Sequence, residues 1–196
     1  GARDVTFRLA IIATGGRAAP PPIPGLDATP HLTNEGLFEI TELPRHLVIV
    51  GAGPIGCEMG QAFRRLGSEV TIIDRADRPL GKDDADHGRM LQGVLEDEGV
   101  RFRMGADIER VEGTEGAVTV HISADGATEA VEGDVLLIAT GRKPNIEGLG
   151  LEAAGVAFTE RGVTVNDQCR TSQRHIWAAG DCTGEYQLTH MSEHMA

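Results

Sequence analysis

Aromatic residues are scarce: one Trp, one Tyr and five Phe make up 4% of the 196 residues. With 40% apolar residues the chain can still build a core, but that core must be aliphatic. Basic charge is also in deficit. Eighteen Lys and Arg face thirty Asp and Glu, a formal charge of −12 with no basic run. That balance argues against nucleic acid and anionic membrane surfaces as partners and suits a solvated acidic exterior. No apolar run approaches the roughly 20 residues a membrane-spanning helix needs. Gly1-Ala2-Arg3-Asp4 lacks the basic-then-apolar order of a signal peptide. The three cysteines, Cys57, Cys169 and Cys182, form neither a C-x-x-C pair nor a metal-ligand pattern. Inert thiols in a reducing, cytoplasmic setting are therefore expected, with no metal site.

Glycine is abundant, with 26 residues, so tight turns and close backbone approaches are expected. The length suits one domain or one and a half. Leu9 to Ala13 is a short apolar run ending at Thr14-Gly15-Gly16 and reads as a buried strand and turn. Pro20 to Gly25 is a stiff, proline-rich connector. Leu47 to Val50 predicts a second buried strand, after which Gly51 to Gly56 leads into a helix stopped by Gly67. That helix is expected to bury a face of Ile55, Met59, Ala62, Phe63 and Leu66. Val70 to Ile73 predicts the next strand. Residues 84–98 predict a helix with Leu91, Val94 and Leu95 inward, and Val100 to Met104 another strand. This β-α-β-α-β order implies a parallel sheet. Short antiparallel strands follow at Ile108 to Val111, Val118 to Ile122 and around Ala130-Val131, with a turn at Asp125-Gly126. Val135 to Ala139 and Ile176 to Ala179 restore buried strands. Ile12-Ala13-Thr14-Gly15 is echoed by Ile138-Ala139-Thr140-Gly141, which hints at two related nucleotide-binding units.

Gly51-Ala52-Gly53-Pro54-Ile55-Gly56 is a G-x-G-x-x-G sequence placed after a predicted strand and at the opening of a predicted helix. Gly51 permits the tight turn, Gly53 admits a pyrophosphate close to the backbone, and Gly56 lets the helix pack closely. Pro54 fits the first helical turn, where a missing N–H is no loss. Asp74 lies 23 residues after Gly51, at the end of the next strand, where a carboxylate accepts hydrogen bonds from the adenosine ribose of NAD. A 2′-phosphate would face that carboxylate, so NADH is expected over NADPH. Arg75 keeps the opposite reading open, because a guanidinium pairs well with phosphate. Gly141-Arg142-Lys143-Pro144-Asn145 and Ala179-Gly180-Asp181 each follow a buried strand. By themselves they are turns.

In order and spacing, these four motifs resemble the pyridine nucleotide-disulfide oxidoreductase family, in particular its dihydrolipoamide dehydrogenase-like and mercuric reductase-like members. The resemblance covers essentially the whole chain. It implies a Rossmann-like, three-layer α/β nucleotide-binding domain with a parallel sheet and an antiparallel β-meander, flanked by partial segments of an FAD domain. The implied boundaries are 1–43 for the first flavin segment and linker, 44–143 for the NAD(H) domain, and 144–196 for the return into the flavin domain. Cofactor-binding residues implied on the nicotinamide nucleotide are Gly51, Gly53, Pro54, Ile55, Gly56, Asp74 and Arg75, with Val111 added from the first antiparallel strand. Gly141 and Arg142 match a turn near both nucleotides. Thr14, Gly15 and Gly16 match the exit from the flavin domain. Gly180 and Asp181 match the segment that holds the ribityl chain, and Gln187, Leu188, Thr189 and His190 the turn beside the flavin ring. Glu58 has two readings: a solvated helix glutamate, or the family's partner for a lysine upstream of this chain. Pro54 departs from the aromatic or aliphatic gate often found there.

The resemblance implies hydride passage from NADH to FAD and on to a disulfide or other acceptor in a parent enzyme, typically a homodimer, with binding and orientation supplied by the protein. A flavin NADH oxidase or quinone reductase lacking a dithiol is the alternative enzyme, and a non-catalytic nucleotide-binding module the alternative of another class. No second G-x-G-x-x-G, C-x-x-x-x-C pair or His-Glu pair occurs in the sequence. The chain alone is therefore expected neither to retain FAD nor to turn over NADH. Its flanking strands are expected to lack sheet partners and to fray before Pro44 and after Asn166.

Overall fold

In chain order, the described residues begin with β1 (Ala10–Ile12) and β2 (Gly16–Ala18). There follow β3 (His46–Val50), α1 (Pro54–Leu66), β4 (Glu69–Ile73), α2 (Ala85–Asp97) and β5 (Val100–Arg103). Next are β6 (Asp107–Thr114), β7 (Ala117–Ala124), β8 (Ala127–Gly133) and β9 (Val135–Ile138). The chain ends with β10 (Arg142–Pro144), β11 (Phe158–Thr159), β12 (Gly162–Val163), β13 (Ile176–Ala178) and α3 (Thr189–Met195). The structure is a computed structural model that describes residues 5–124 and 126–196. Gly1 to Asp4, and the Asp125 half of the expected Asp125-Gly126 turn, lie outside the described residues. Among the described residues two compact units are present: Pro20–Gly141, and residues 5–19 with Arg142–Ala196.

In the first unit, β3, β4, β5 and β9 form a parallel sheet in the order β5-β4-β3-β9. β3, β4 and β9 are mostly aliphatic because both their faces are covered. Along β3, Leu47 and Ile49 enter the core beneath Cys57, Phe63 and Leu95 of the helices. Val48 and Val50 point the other way, into a core shared with Val118, Val120, Ile122 and Val131 of the antiparallel β6-β7-β8 meander. Period-two alternation thus divides one strand between two cores. Helices, parallel sheet and meander make the expected three layers. Among the described residues no helix is long and apolar enough to cross a membrane.

Three sequence expectations need correction here. The buried face of α1 is Gly56, Cys57, Gly60 and Phe63, and Leu66 is 66% exposed. Glycine makes this face: a side chain on Gly60 would come within 2.8 Å of Ile72 Cδ1, so the helix rests on the sheet where it is smallest. In α2, Leu95 is buried but Val94 is exposed. The first unit also starts at Pro20 rather than residue 44. Leu26 is buried against the meander side and Leu37 against the helix side. Leu32 pairs with the free edge of β9, its N–H donating to Leu136 O and its carbonyl accepting from Ile138 N–H, both at 2.8 Å. An otherwise open edge is covered in this way.

The second unit overturns the expectation that the flanks lack sheet partners. β1 pairs in parallel with β13, and β2 pairs antiparallel with β10. This pairing moves the far boundary from residue 143 to 141. Leu151, Val156, Val163, Ile176, Ala178 and Cys182 form its core. β1 itself is less buried than expected: Leu9 and Ile11 are exposed, because only β13 pairs with it among the described residues.

The revised α1 face predicts a ranking in chemical denaturation. Gly60→Val should destabilise the chain by about 1–3 kcal/mol through overpacking. Leu66→Ser should stay within about 0.5 kcal/mol of the parent. A large loss from Leu66→Ser with a neutral Gly60→Val would restore the apolar face read from the sequence.

Candidate functional site

The turn from β3 into α1 contains three glycines that serve different ends. Gly51 has φ 111°, and a side chain there would come within 2.5 Å of Ala139 O at the end of β9. Gly56 lies so close to the loop that its Cβ would run into the carbonyl of Gly51. Both glycines are demanded by backbone crowding. Gly53 differs. Its φ of −74° and ψ of −175° suit any residue, and a Cβ there would meet nothing within 4 Å. It therefore borders open space at the start of α1. Pro54 occupies the first turn and is exposed. The first intrahelical bond runs from Cys57 N–H to Gly53 O, at 3.0 Å. The N–H groups of Ile55 and Gly56 precede it and lie at the electropositive helix end.

Asp74 follows β4, the strand beside β3. Its Oδ2 accepts from Ala52 N–H at 2.6 Å and its Oδ1 from Ala76 N–H at 2.8 Å. The same parallel pairing of β3 and β4 thus places the glycine turn and the acidic residue together. Arg75 turns to Asp107, at 2.8 Å in an exposed ion pair. Glu58 is exposed on α1, and Gly141 closes the unit at φ 155°. Val111 is a correction. It is 2% exposed, packed with Leu26 and Val48, and its N–H donates to Pro24 O at 2.9 Å. Alternation along β6 turns it inward, so it offers a ligand no surface.

In the second unit, Arg142 connects two candidate segments. Its Nε donates to Asp181 Oδ2 at 3.0 Å and its Nη2 to Gly16 O at 2.8 Å. The Arg142 and Asp181 side chains are 21% and 15% exposed. A side chain on Gly16 would approach Asp181 Oδ2 to 3.1 Å, so glycine there leaves room for the carboxylate. Thr14 Oγ1 donates to Asn145 O at 2.6 Å, and Asn145 N–H donates to Gly15 O at 2.9 Å. Gly15 and Gly180 take positive φ, 69° and 80°. Gln187 and Leu188 precede α3, whose first residues are Thr189 and His190, and Leu188, Thr189 and His190 are exposed. Among the described residues no group of three or more His, Cys, Asp or Glu is placed to hold a metal ion.

Sequence reasoning missed Ala52 and Leu80. The Ala52 carbonyl accepts from Leu80 N–H at 2.9 Å, and Leu80 adopts φ 52°. Nothing in the composition of residues 74–80 marks that contact, which depends on how the chain after β4 folds back over the turn.

Three comparisons bear on the chain. The profile of the family described as pyridine nucleotide-disulphide oxidoreductase matches residues 1–196. Dihydrolipoyl dehydrogenase 3 of Pseudomonas aeruginosa is 39% identical over 100% of this chain and 41% of its own length. Mercuric reductase of Bacillus cereus is 38% identical over 96% of this chain and 30% of its own. This chain therefore spans well under half the length of these curated relatives. Among solved structures, a Cu(II) complex of the HOCl-induced flavoprotein disulfide reductase RclA of Escherichia coli superposes with a TM-score of 0.85. It is 37% identical and covers 95% of this chain and 43% of that one. LpdA of Mycobacterium tuberculosis superposes with a TM-score of 0.83, at 34% identity over 95% of this chain and 40% of that one.

The thiols near these sites carry a testable expectation. Burial, with the nearby Asp74 and Glu58 charges, pushes the Cys57 thiol up to about 11, and its Sγ donates to Ala52 O at 3.4 Å. Cys182 is fully buried and Cys169 partly exposed. A disulfide reagent at pH 8 should label only Cys169 in the native chain and all three thiols in denaturant. Fast native labelling of Cys57 would contradict this burial.

Proposed function

We propose that this chain, which belongs to the pyridine nucleotide-disulphide oxidoreductase family, is the NAD(H)-binding part of an FAD-dependent oxidoreductase together with segments of its flavin domain. The observation that carries this reading is Gly53. It is the one glycine of the fingerprint that neither φ nor crowding requires, and the open space beside it suits a pyrophosphate close to the backbone. The N–H groups of Ile55 and Gly56 would receive the phosphates at the positive end of α1. Gly51 and Gly56 shape the turn. Asp74 would accept the ribose hydroxyls with the lone pairs its two N–H partners leave free.

The carboxylate at residue 74 supports NADH over NADPH, since a 2′-phosphate would meet a like charge. The Arg75 guanidinium is engaged by Asp107, although an exposed pair of this type is worth only about 0–1 kcal/mol. In the second unit, Thr14, Gly15, Gly16, Gly180 and Asp181 would meet the flavin polyol, and Gln187 to His190 its ring. Arg142 holds the Asp181 carboxylate in one orientation through a single oxygen, which leaves Oδ1 to accept a hydroxyl. When bound, the nicotinamide and flavin would supply the hydride-transfer chemistry. The residues of this chain bind and orient.

Two measurements test the reading. Titration calorimetry should show NADH binding roughly tenfold or more tightly than NADPH, the worth of one charge-assisted hydrogen bond; equal or tighter NADPH binding would assign the site to Arg75. Gly53→Val should cut NADH affinity at least about tenfold by filling the pyrophosphate space, with a melting temperature within about 4 °C of the parent. Gly56→Val should instead compromise folding, because its side chain has no room. Normal NADH binding by Gly53→Val would leave the loop as a structural turn.

A further inference from the structure

The peptide of Ala52 is held from both sides by one short segment of chain. Its N–H donates to Asp74 Oδ2 at 2.6 Å, and its carbonyl accepts from Leu80 N–H at 2.9 Å. Ala52 is 2% exposed, so little water can replace either partner. Leu80 reaches the carbonyl from φ 52°, a left-handed conformation that residues bearing a Cβ adopt at a cost and keep only where their surroundings hold them. Its side chain is held by the helix-side core. Asp74 is committed in the same way, because its other oxygen accepts from Ala76 N–H at 2.8 Å.

We infer that the segment 74–80 sets the conformation of the Gly51–Gly53 turn before any nucleotide arrives, and that Asp74 is a positioning residue for that turn in addition to its proposed contact with ribose. The role in binding rests on the nucleotide reading above; the hold on the turn does not. The chemistry is specific to a carboxylate. Two backbone donors approach two different oxygens of one side chain, and an ionised carboxylate accepts at both. An amide of the same shape offers one oxygen and one NH2. In either orientation, asparagine would set an NH2 donor against the N–H of Ala52 or of Ala76. A residue at the end of β4 that served only to select NADH would need no contact with the turn.

The two readings separate in Asp74→Asn. If Asp74 acts only through ribose and charge, Asp74→Asn lowers NADH affinity and raises NADPH affinity, because the repulsion of the 2′-phosphate is removed. If it also holds the turn, the loosened pyrophosphate loop weakens both dinucleotides, so NADH affinity falls further and the NADPH gain is cut or reversed. The first measurement needs no ligand. Hydrogen exchange on the whole chain should show the Ala52 amide losing about tenfold or more of its protection in Asp74→Asn, with the amides of β3 unchanged. Asp107→Asn removes an equal charge nearby without touching the turn and should leave Ala52 as in the parent. Asp74→Glu, which keeps two acceptors, should protect Ala52 better than Asp74→Asn, and it decides the matter if the asparagine variant does not fold. Calorimetry with NADH and NADPH completes the test. Unchanged Ala52 exchange in Asp74→Asn, or an Asp74→Glu variant no better protected, would each overturn the inference. A parent chain that binds no dinucleotide would defeat the functional reading instead, and the exchange result would still decide whether Asp74 holds the turn.

Discussion

The carbonyl of Gly51 occupies the volume a side chain on Gly56 would need, and the carbonyl of Ala139 blocks a side chain on Gly51. This backbone-on-backbone contact brings the start of α1 hard against the ends of β3 and β9. Packing of that density leaves no slack for even one added carbon. With α1 seated there, its glycine face lies on Ile49 and Ile72, and the helix can be followed by β4 in register with β3. The acidic residue at the end of β4 is then carried beside the glycine turn. A steric condition at two glycines therefore decides where the polar groups of the candidate site meet.

Gly53 stands outside that condition, and the contrast separates folding from binding within six consecutive residues. Two glycines answer to the fold and one answers to space. Within the turn, Ala52 has protein partners for both its N–H and its carbonyl before any ligand is considered. A loop already tied down by protein hydrogen bonds has fewer conformations to lose on binding, which is the thermodynamic content of preorganisation. The second unit shows a related arrangement. Arg142 ties Asp181 to the Gly16 carbonyl, so a carboxylate largely withdrawn from water has a charged donor beside it.

Much of the fold was legible in the sequence because it depends on local signals. Runs such as Leu47 to Val50 and Leu136 to Ile138 are aliphatic because both faces of their sheet are covered, and Gly67 in its left-handed conformation stops α1 where expected. Legibility failed where contact is made by residues without side chains. The face of α1 was sought among Ile55, Met59, Ala62, Phe63 and Leu66; Phe63 and Met59 do pack on the core, but Gly56 and Gly60 permit the approach. It failed again for Val111, whose inward direction depends on its register within the meander, and for the linker, where Leu26, Leu32 and Leu37 are apolar residues without a periodic pattern.

By itself the sequence determined the glycine turn between a buried strand and a helix, the acidic residue at the next strand end, and the repeated Ala-Thr-Gly strand endings, since each follows from conformational limits on a few adjacent residues. Only the tertiary structure decided that Pro20 to Leu43 joins the first unit, that the two ends of the chain pair as β1 with β13 and β2 with β10, and that Leu80 reaches back to Ala52. Those contacts join residues far apart along the chain. Each exists because an open strand edge or an unpaired backbone group needs a partner, and the choice of partner is made by the folded geometry and not by the neighbouring residues.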